Sequence, residues 1–293
     1  MASMRLQLPA VYHDRSGFES LLQLSARTED SFLDDIEIDM TSTNWFDADM
    51  CAPLGAILYR LGEKLNTIRL TKIPKQVEKI LSKNGFLSSY GISKIPDRWG
   101  TTIPYQRFDR KDDRYFGSYI ERELVRRREM PSMSKGLLKK FRESVFEIFN
   151  NAVTHSQTQL GIFSCGQFFP GRHRIDISIA DLGIGIRQNV KEQAGLNLAP
   201  DEAIVWAIKD GNTTKRGPIP GGLGLKLLRD FISLNGGRIQ IISDAGYLCL
   251  RKGKTESTLL RSAFPGTVVN IEINTSDKKS YALVSEISSA DIF

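Results

Sequence analysis

Hydrophobic and polar positions follow two different periods in residues 1–95. Residues 35–40 alternate between polar and apolar side chains, which is typical of a half-buried strand. Residues 50–65 instead place apolar side chains at helical spacing. Further strands are predicted at 5–12 and 67–70, and further helices from an N-cap at Ser16 and at 75–83. Strands that alternate with helices indicate a small α/β domain.

The same periods continue after residue 134. They predict strands at 159–164, 174–180, 238–243, 247–251 and 267–274, and helices at 201–209 and 223–234. Between the two regions, residues 95–131 are rich in charged residues and in proline and glycine, with an amphipathic helix near 115–128. We therefore interpret this stretch as a connector.

The helix predicted around residues 143–156 has a polar stripe beside an apolar one. Glu143, Glu147, Asn151 and His155 follow one another at i, i+4 spacing and so share a face. A carboxylate can take a proton from water, and an amide oxygen is a ligand that Mg²⁺ accepts when phosphates fill its other positions. The alternative is an amphipathic helix whose polar side only meets solvent.

A carboxylate and two glycines follow the strand predicted at 174–180. Asp181 stands directly after this strand, and Gly183 and Gly185 come next in the segment DLGIGI. The carboxylate could accept a hydrogen bond from the exocyclic amine of a base, and the glycines would let the backbone pass close to its ring. The alternative is a tight turn after a strand.

Candidate phosphate contacts lie further along the chain. The loop at 210–222 contains Thr214 and Lys215, and hydroxyl and ammonium groups suit a terminal phosphate. A glycine-rich turn then opens the last predicted helix with Gly222, Leu223, Gly224 and Leu225. Free N–H groups at a helix N-terminus favour phosphate. The alternative is an ordinary loop before a helix, and neither a P-loop nor a complete dinucleotide fingerprint is present in the sequence.

Taken together, these segments resemble a known family. EIFNNAVTHS, DLGIGI, NTTKRG, GGLGLKLL and GTVVNIEI occur in the order and spacing of the GHKL (Bergerat-fold) ATPases, which include histidine kinases and anti-sigma kinases. The resemblance covers about residues 135–274 and implies ATP and Mg²⁺ as cofactors. It implies that Asn151 binds Mg²⁺, that Glu147 is the general base and that Asp181 reads adenine. The further contacts that it implies are Gly183, Gly185, Thr214, Lys215, Gly222, Leu223, Gly224, Leu225 and Thr267.

The segment WFDADMCAPLGAILYRLGEKLNTIRL is similar to the STAS domain of anti-sigma-factor antagonists. The similarity rests on a strand, an Asp-containing turn and a helix that begin around Asp47. In those regulators a phosphorylatable Ser or Thr begins this helix, whereas Ala48-Asp49-Met50 stands here. This difference argues against a phosphorylation switch at this position. We expect a module that docks a protein partner instead.

The predicted fold class is α/β (α+β) with two domains. Residues 1–95 form a STAS-like module, 96–133 a basic connector, 134–276 the GHKL ATP-binding domain and 277–293 a C-terminal tail. We expect the GHKL domain to be a sandwich with a mixed sheet and helices on one face. A homodimer is possible, because related ATPases often dimerise.

Composition agrees with a soluble globular protein of 293 residues, 41% of them hydrophobic and 25% charged. The sequence has no apolar run of membrane-spanning length and no secretion signal, so we expect a cytoplasmic protein without a membrane partner. The 3 cysteines and 3 histidines are scattered. Their spacing supports neither a disulfide framework nor a zinc site.

The net charge of +6 is concentrated in one stretch, 107–142, which contains 12 Lys and Arg against 6 Asp and Glu. A nucleic-acid-binding surface is possible but not favoured, because the charges alternate in sign and few aromatic residues lie between them. Three functions therefore remain open. They are an ATP-dependent switch with slow hydrolysis, a serine/threonine kinase of the anti-sigma type, and an adaptor for nucleic acid or a partner with structural ATP.

Overall fold

The protein is seen in a computed structural model that describes residues 3–209, 212 and 223–286. Its first part is a parallel three-stranded sheet with strand order β1-β2-β3. Parallel strands require crossover connections, and helices supply them here. The elements in chain order are β1 (Ser3–Gln7), α1 (Arg15–Arg27), β2 (Asp35–Asp39), α2 (Cys51–Glu63), β3 (Thr67–Thr71) and α3 (Lys75–Lys83). The predicted alternation of strands and helices is thus confirmed.

The start of α1 differs from the prediction. Its N-cap is Asp14 and not Ser16, because the Asp14 side chain accepts hydrogen bonds from the backbone N–H groups of Ser16 and Gly17 at 2.9 and 3.1 Å. A carboxylate at this position satisfies donors that the helix itself cannot pair.

The second part contains a five-stranded sheet of order β4-β6-β7-β9-β8. The elements that follow α3 are β4 (Thr102–Phe108), α4 (Asp113–Ile120), β5 (Ser132–Met133), α5 (Lys135–His155), β6 (Ile162–Phe169), β7 (Arg174–Asp181), α6 (Gly185–Ala194), α7 (Pro200–Ile208), α8 (Leu223–Asn235), β8 (Arg238–Arg251), β9 (Lys254–Asn274) and β10 (Ser280–Tyr281). The predicted strands at 238–243 and 247–251 are one strand, β8, with an irregular register near Asp244.

The α/β (α+β) fold class is confirmed, but one expectation about the second sheet is wrong. Every neighbouring pair of its strands is antiparallel, so the sheet is not mixed. Short turns join β6 to β7 and β8 to β9, and such hairpins can only link antiparallel strands. The helices of residues 134–276 pack on one face, as expected, and the N-terminal helices cover the other face.

Alternate residues of β7 point to opposite sides of the sheet, as strand geometry requires. Ile175, Ile177 and Ile179 pack in the same core as residues of α5 and α8. Ala180 and, on the neighbouring β9, Val268 pack instead with residues of α1 and α2. The sheet is therefore the middle layer of three, with the N-terminal helices on one side and α5 and α8 on the other.

The contact between the N-terminal helices and the sheet includes two of the three cysteines. Cys51 at the start of α2 and Cys165 on β6 are both buried free thiols. Asn84 Nδ2 donates to both sulfur atoms, at 3.2 and 3.3 Å. These hydrogen bonds join the N-terminal helices to the sheet through polar side chains.

Residues 96–133, predicted as a connector, contribute the edge strand β4 and the helix α4. The predicted amphipathic helix is confirmed: α4 continues as one π-helical turn at Glu121–Val125. Phe116 and Tyr119 on α4 are buried, and the Tyr119 hydroxyl donates to the Pro104 carbonyl oxygen at 2.9 Å. The segment thus packs in the same hydrophobic core as α5 and α8.

The first residues of the predicted tail are also structured. Strand β10 pairs with β5, and the Tyr281 ring lies 5.2 Å from the Phe231 ring of α8. Among the described helices, none has both the length and the apolar composition that a bilayer crossing requires.

Candidate functional site

A cavity of about 170 Å³ lies between α5, the five-stranded sheet and the helices α6 and α7. Its walls include residues from α5, β7, β8, β9 and α8. The apolar part of the wall comes from side chains that lie far apart in the sequence, which are Ile148, Ala152, Ile179, Ile186, Ile241 and Val269. A narrow apolar cavity with a few polar groups is the usual form of a small-molecule site.

Helix α5 presents the predicted polar stripe to this cavity. The helix begins after Ser134, whose hydroxyl accepts a hydrogen bond from Leu137 N at 3.1 Å. Glu147, Asn151 and His155 all line the cavity. Glu143, one turn earlier, lies outside it on the surface and pairs with Lys140 at 2.8 Å. Only the last two turns of the polar stripe therefore face the cavity.

Asp181 is the last residue of β7 and lines the same cavity with only 5% of its surface exposed. Its Oδ1 accepts a hydrogen bond from Gly183 N at 2.9 Å. Burial raises the pKa of Asp181 to about 7, although the hydrogen bonds from Gly183 and Ser156 oppose the rise. A buried carboxyl group that titrates near neutrality is typical of a functional site.

The two glycines after Asp181 are required by the backbone. A Cβ on Gly183 would lie 2.0 Å from the Ser156 carbonyl oxygen, so a side chain cannot fit where this turn passes the end of α5. Gly185 has φ +75°, a conformation that other residues rarely adopt. These contacts bring the turn against α5 and form one edge of the cavity.

Ser243 on β8 holds this turn and was not predicted from the sequence. Its Oγ accepts a hydrogen bond from Ile186 N at 2.8 Å, donates to the Gly266 carbonyl at 3.0 Å and lies 3.1 Å from Thr267 Oγ1. Thr267 lines the cavity, as the resemblance implies. Serine inside a strand carries no sequence signal, because its role depends on which strands are neighbours.

Two further cavity residues were not predicted as site residues. Asn189 on α6 donates from Nδ2 to the His155 carbonyl at 3.3 Å, which ties α6 to the end of α5. Trp206 on α7 is half-buried and lines the cavity. Helical spacing alone cannot distinguish a core position from a cavity wall.

The remaining predicted residues are described only in part. Leu225 of α8 lines the cavity. Leu223 and Gly224 begin α8 in the backbone, and the structure describes nothing further of these two residues. Thr214, Lys215 and Gly222 lie outside the described residues altogether. The predicted phosphate contacts therefore stay predictions.

The polar groups of the cavity are compatible with Mg²⁺ at Asn151. An amide oxygen is a hard oxygen donor, and Mg²⁺ prefers such ligands. Asn151 is half-buried and lines the cavity one helical turn after Glu147, the predicted base. The site would supply a single amide ligand, which suits an ion whose other ligands are phosphates and water.

No protein-family model and no curated protein matches this chain. The resemblance to GHKL ATPases and to STAS domains therefore stays a prediction from the motifs.

Proposed function

We propose that the protein binds ATP with Mg²⁺ in the cavity beside α5, hydrolyses it slowly and acts as a nucleotide-dependent switch. The observation that carries this proposal is that Glu147, Asn151, Asp181 and Thr267 line one cavity, although they belong to three separate elements. Glu147 and Asn151 were predicted in the motif EIFNNAVTHS, Asp181 in DLGIGI and Thr267 in GTVVNIEI. Their convergence supports reading the motifs as one nucleotide site.

The apolar walls and Asp181 together suit a purine ring. The ring stacks between Ile179, Ile186 and Val269, which line the cavity without competing polar groups. The ionised Asp181 carboxylate accepts a hydrogen bond from the exocyclic amine of adenine. A buried charged acceptor makes this a strong hydrogen bond, because little water competes for it.

Glu147 and Asn151 act on the phosphates of the nucleotide. The Asn151 amide oxygen would hold Mg²⁺, and the ion would supply positive charge that draws electron density from the terminal phosphate. Glu147 takes a proton from the attacking water as a general base. Both side chains come from α5, and the last turn of α5 ends beside the turn that contains Gly183 and Gly185. Asn189 also bonds the end of α5. A nucleotide in the cavity would therefore affect the position of α5.

Calorimetric titration with a non-hydrolysable ATP analogue and Mg²⁺ tests the binding step. Asp181→Asn replaces the acceptor by an amide, and we expect a loss of about 1.5 to 3 kcal/mol, since the hydrogen bond involves a charged group. Asn151→Ala should lower affinity in Mg²⁺ but not in EDTA. Asn150→Ala is the matched control, because Asn150 directly precedes Asn151 in α5 and does not line the cavity. Wild-type protein without affinity for the analogue would refute the proposal.

Phosphate release with wild type, Glu147→Gln and the control Glu143→Gln tests the chemistry. We expect Glu147→Gln to reduce turnover by about 100-fold, the range for loss of a general base, and Glu143→Gln to leave it unchanged. Equal rates for all three proteins would exclude Glu147 as the base. Labelled phosphate that appears on a partner protein instead of in solution would favour the kinase.

The proposed partner surface is the outer face of the N-terminal sheet. Parallel sheets are usually covered on both faces. Here α1 and α2 cover one face, whereas the other carries paired charges, with Arg5 and Arg69 flanking Glu37 across the strands. Both arginine side chains are about half exposed. An ATP-dependent role for this module would place the protein in the cytoplasm.

The basic stretch at 107–142 supports nucleic-acid binding less well than the cavity supports nucleotide binding. Arg126 and Arg142 both pair with Glu121, at 2.9 and 3.4 Å, and Arg122 pairs with Glu123 at 2.6 Å. Arginines that already pair with carboxylates offer weaker contacts to phosphates.

A further inference from the structure

A second cluster of ionisable side chains lies on the opposite face of the same sheet, under the N-terminal helices. It contains His13, just before α1, Asp176 on β7 and Glu272 on β9, which are 2%, 0% and 8% exposed. Asp176 and Glu272 are direct neighbours across the two strands. One ligand atom from each of the three residues lies within 4.8 Å of the others. Two carboxylates in this position repel each other unless positive charge lies nearby.

The imidazole of His13 is held in a fixed orientation. His13 Nδ1 lies 2.5 Å from Asp49 Oδ2, and Ser178 Oγ donates to the same oxygen at 2.9 Å. Among the described residues, His13 Nε2 has no hydrogen-bond partner. A histidine that binds a metal ion usually has this arrangement, in which one ring nitrogen contacts a carboxylate and the other is left for the ion.

The two carboxylates are supported in the same way. Glu272 Oε2 pairs with Arg238 at 2.8 Å. Arg174 Nε lies 2.9 Å from Asp176 Oδ2 but without the alignment of a hydrogen bond, so both Asp176 oxygens lack a hydrogen-bond partner within the described part of the chain. Each of the three candidate ligands thus has one outer contact that positions it.

The cluster is short of positive charge. It contains four carboxylates and two guanidinium groups, so with neutral His13 the sum is −4 + 2 = −2; these groups are Asp47, Asp49, Asp176, Glu272, Arg174 and Arg238. Asp14, Arg172 and Arg251 at the edge of the neighbouring cleft add −1 + 2 = +1, so the cluster and the cleft together sum to −2 + 1 = −1. A buried net negative charge is costly, and a bound cation offsets it.

We propose that His13, Asp176 and Glu272 form a binding site for a divalent cation, and that Zn²⁺ fits it best. One imidazole and two carboxylates are ligands that Zn²⁺ accepts, with water at the fourth position. A cleft of about 210 Å³, lined by His13 and Glu272, gives access. The three ligand atoms must move together by about 1 Å to reach normal bond lengths.

The ion would join the N-terminal segment to the middle of the sheet. His13 comes from the N-terminal part, whereas Asp176 and Glu272 belong to the strands that carry Asp181 and Thr267 on their other face. The site is therefore structural, and it is independent of the proposed nucleotide cavity. Arg174 and Arg238 reduce the affinity for a cation, so we expect weaker binding than at an all-carboxylate site.

The test uses the full chain, stripped with a chelator and then dialysed against ZnCl₂ with metal analysis. We expect one Zn²⁺ per wild-type chain and a higher thermal midpoint. Asp176→Asn and His13→Gln should lose this ion, whereas His173→Gln, which changes an exposed histidine, should retain it. Asn151→Ala should also retain it, which separates this site from the nucleotide cavity.

A second measurement needs no variant. X-ray absorption by the bound Zn²⁺ should show nitrogen and oxygen ligands at about 2.0 to 2.2 Å and no sulfur ligand at about 2.3 Å. This result decides the question if the cluster variants do not fold. No stoichiometric binding, or a sulfur ligand on the bound ion, would overturn the proposal.

Discussion

The substitution Asp181→Asn should stabilise the folded protein above neutral pH while it weakens nucleotide binding. Asp181 is buried with a pKa raised to about 7 from 3.8, mainly because burial disfavours its charge. The asparagine amide has nearly the same shape and stays neutral. Its oxygen can also keep the hydrogen bond from Gly183 N. A residue retained at a cost in stability would be expected at a binding site.

The sign and size follow from the difference between the two pKa values. Below pH 3.8 the carboxyl group is protonated in the folded and unfolded chain, so it does not affect pH dependence. Between pH 3.8 and about 7 the folded chain keeps a proton that the unfolded chain has released, so stability falls as pH rises. At 1.36 kcal/mol per pKa unit the full loss is about 4 kcal/mol, complete above pH 7.

Urea unfolding of both proteins at several pH values between 5 and 8.5 measures this effect. Other carboxylates change stability with pH as well, but they contribute equally to both proteins and cancel in the difference. We expect the free energy of unfolding of Asp181→Asn, relative to wild type, to rise by about 3 kcal/mol from pH 5 to pH 8. The control Asp230→Asn, at an exposed position of α8, should show a constant difference. A constant difference for Asp181→Asn too would refute the reasoning.

Three further predictions concern the cavity and the turn beside it. Gly183→Ala should destabilise the protein by about 1 to 3 kcal/mol in urea unfolding, because its Cβ would collide with backbone, whereas Gly171→Ala, with open space around it, should be nearly neutral. Ser243→Ala leaves Ile186 N and the Gly266 carbonyl without this partner and should lower the free energy of unfolding by about 1 to 3 kcal/mol in urea unfolding, together with weaker binding of the ATP analogue in calorimetry. Nucleotide should change the tryptophan fluorescence of wild type but not of Trp206→Phe; an unchanged signal in wild type would contradict a nucleotide beside this ring.

Elements with a regular period were predictable from the sequence, and those without one were not. Helix α5 and strand β7 have strong periods that reflect one buried side each. Strand β4 contains Pro104, and its extended form depends on pairing with β6. The first half of β9 is largely exposed and polar, and it is a strand because β8 lies beside it.

The residues of the candidate site also fall into those that the sequence predicted and those that only the fold revealed. The sequence by itself determined Glu147, Asn151 and Asp181 as candidates, because helical spacing and short motifs depend on neighbouring residues. Thr267 was a candidate only through the resemblance to the GHKL ATPases. Only the tertiary structure brought in Ser243, since its partners belong to other segments.

The histidines give the clearest contrast. Their spacing along the chain predicts no zinc site. The folded chain nevertheless brings His13 together with Asp176 and Glu272, because strand register and layer packing place them on one buried surface. Local periodicity records which side of an element is buried, and it contains no information about which distant element covers that side.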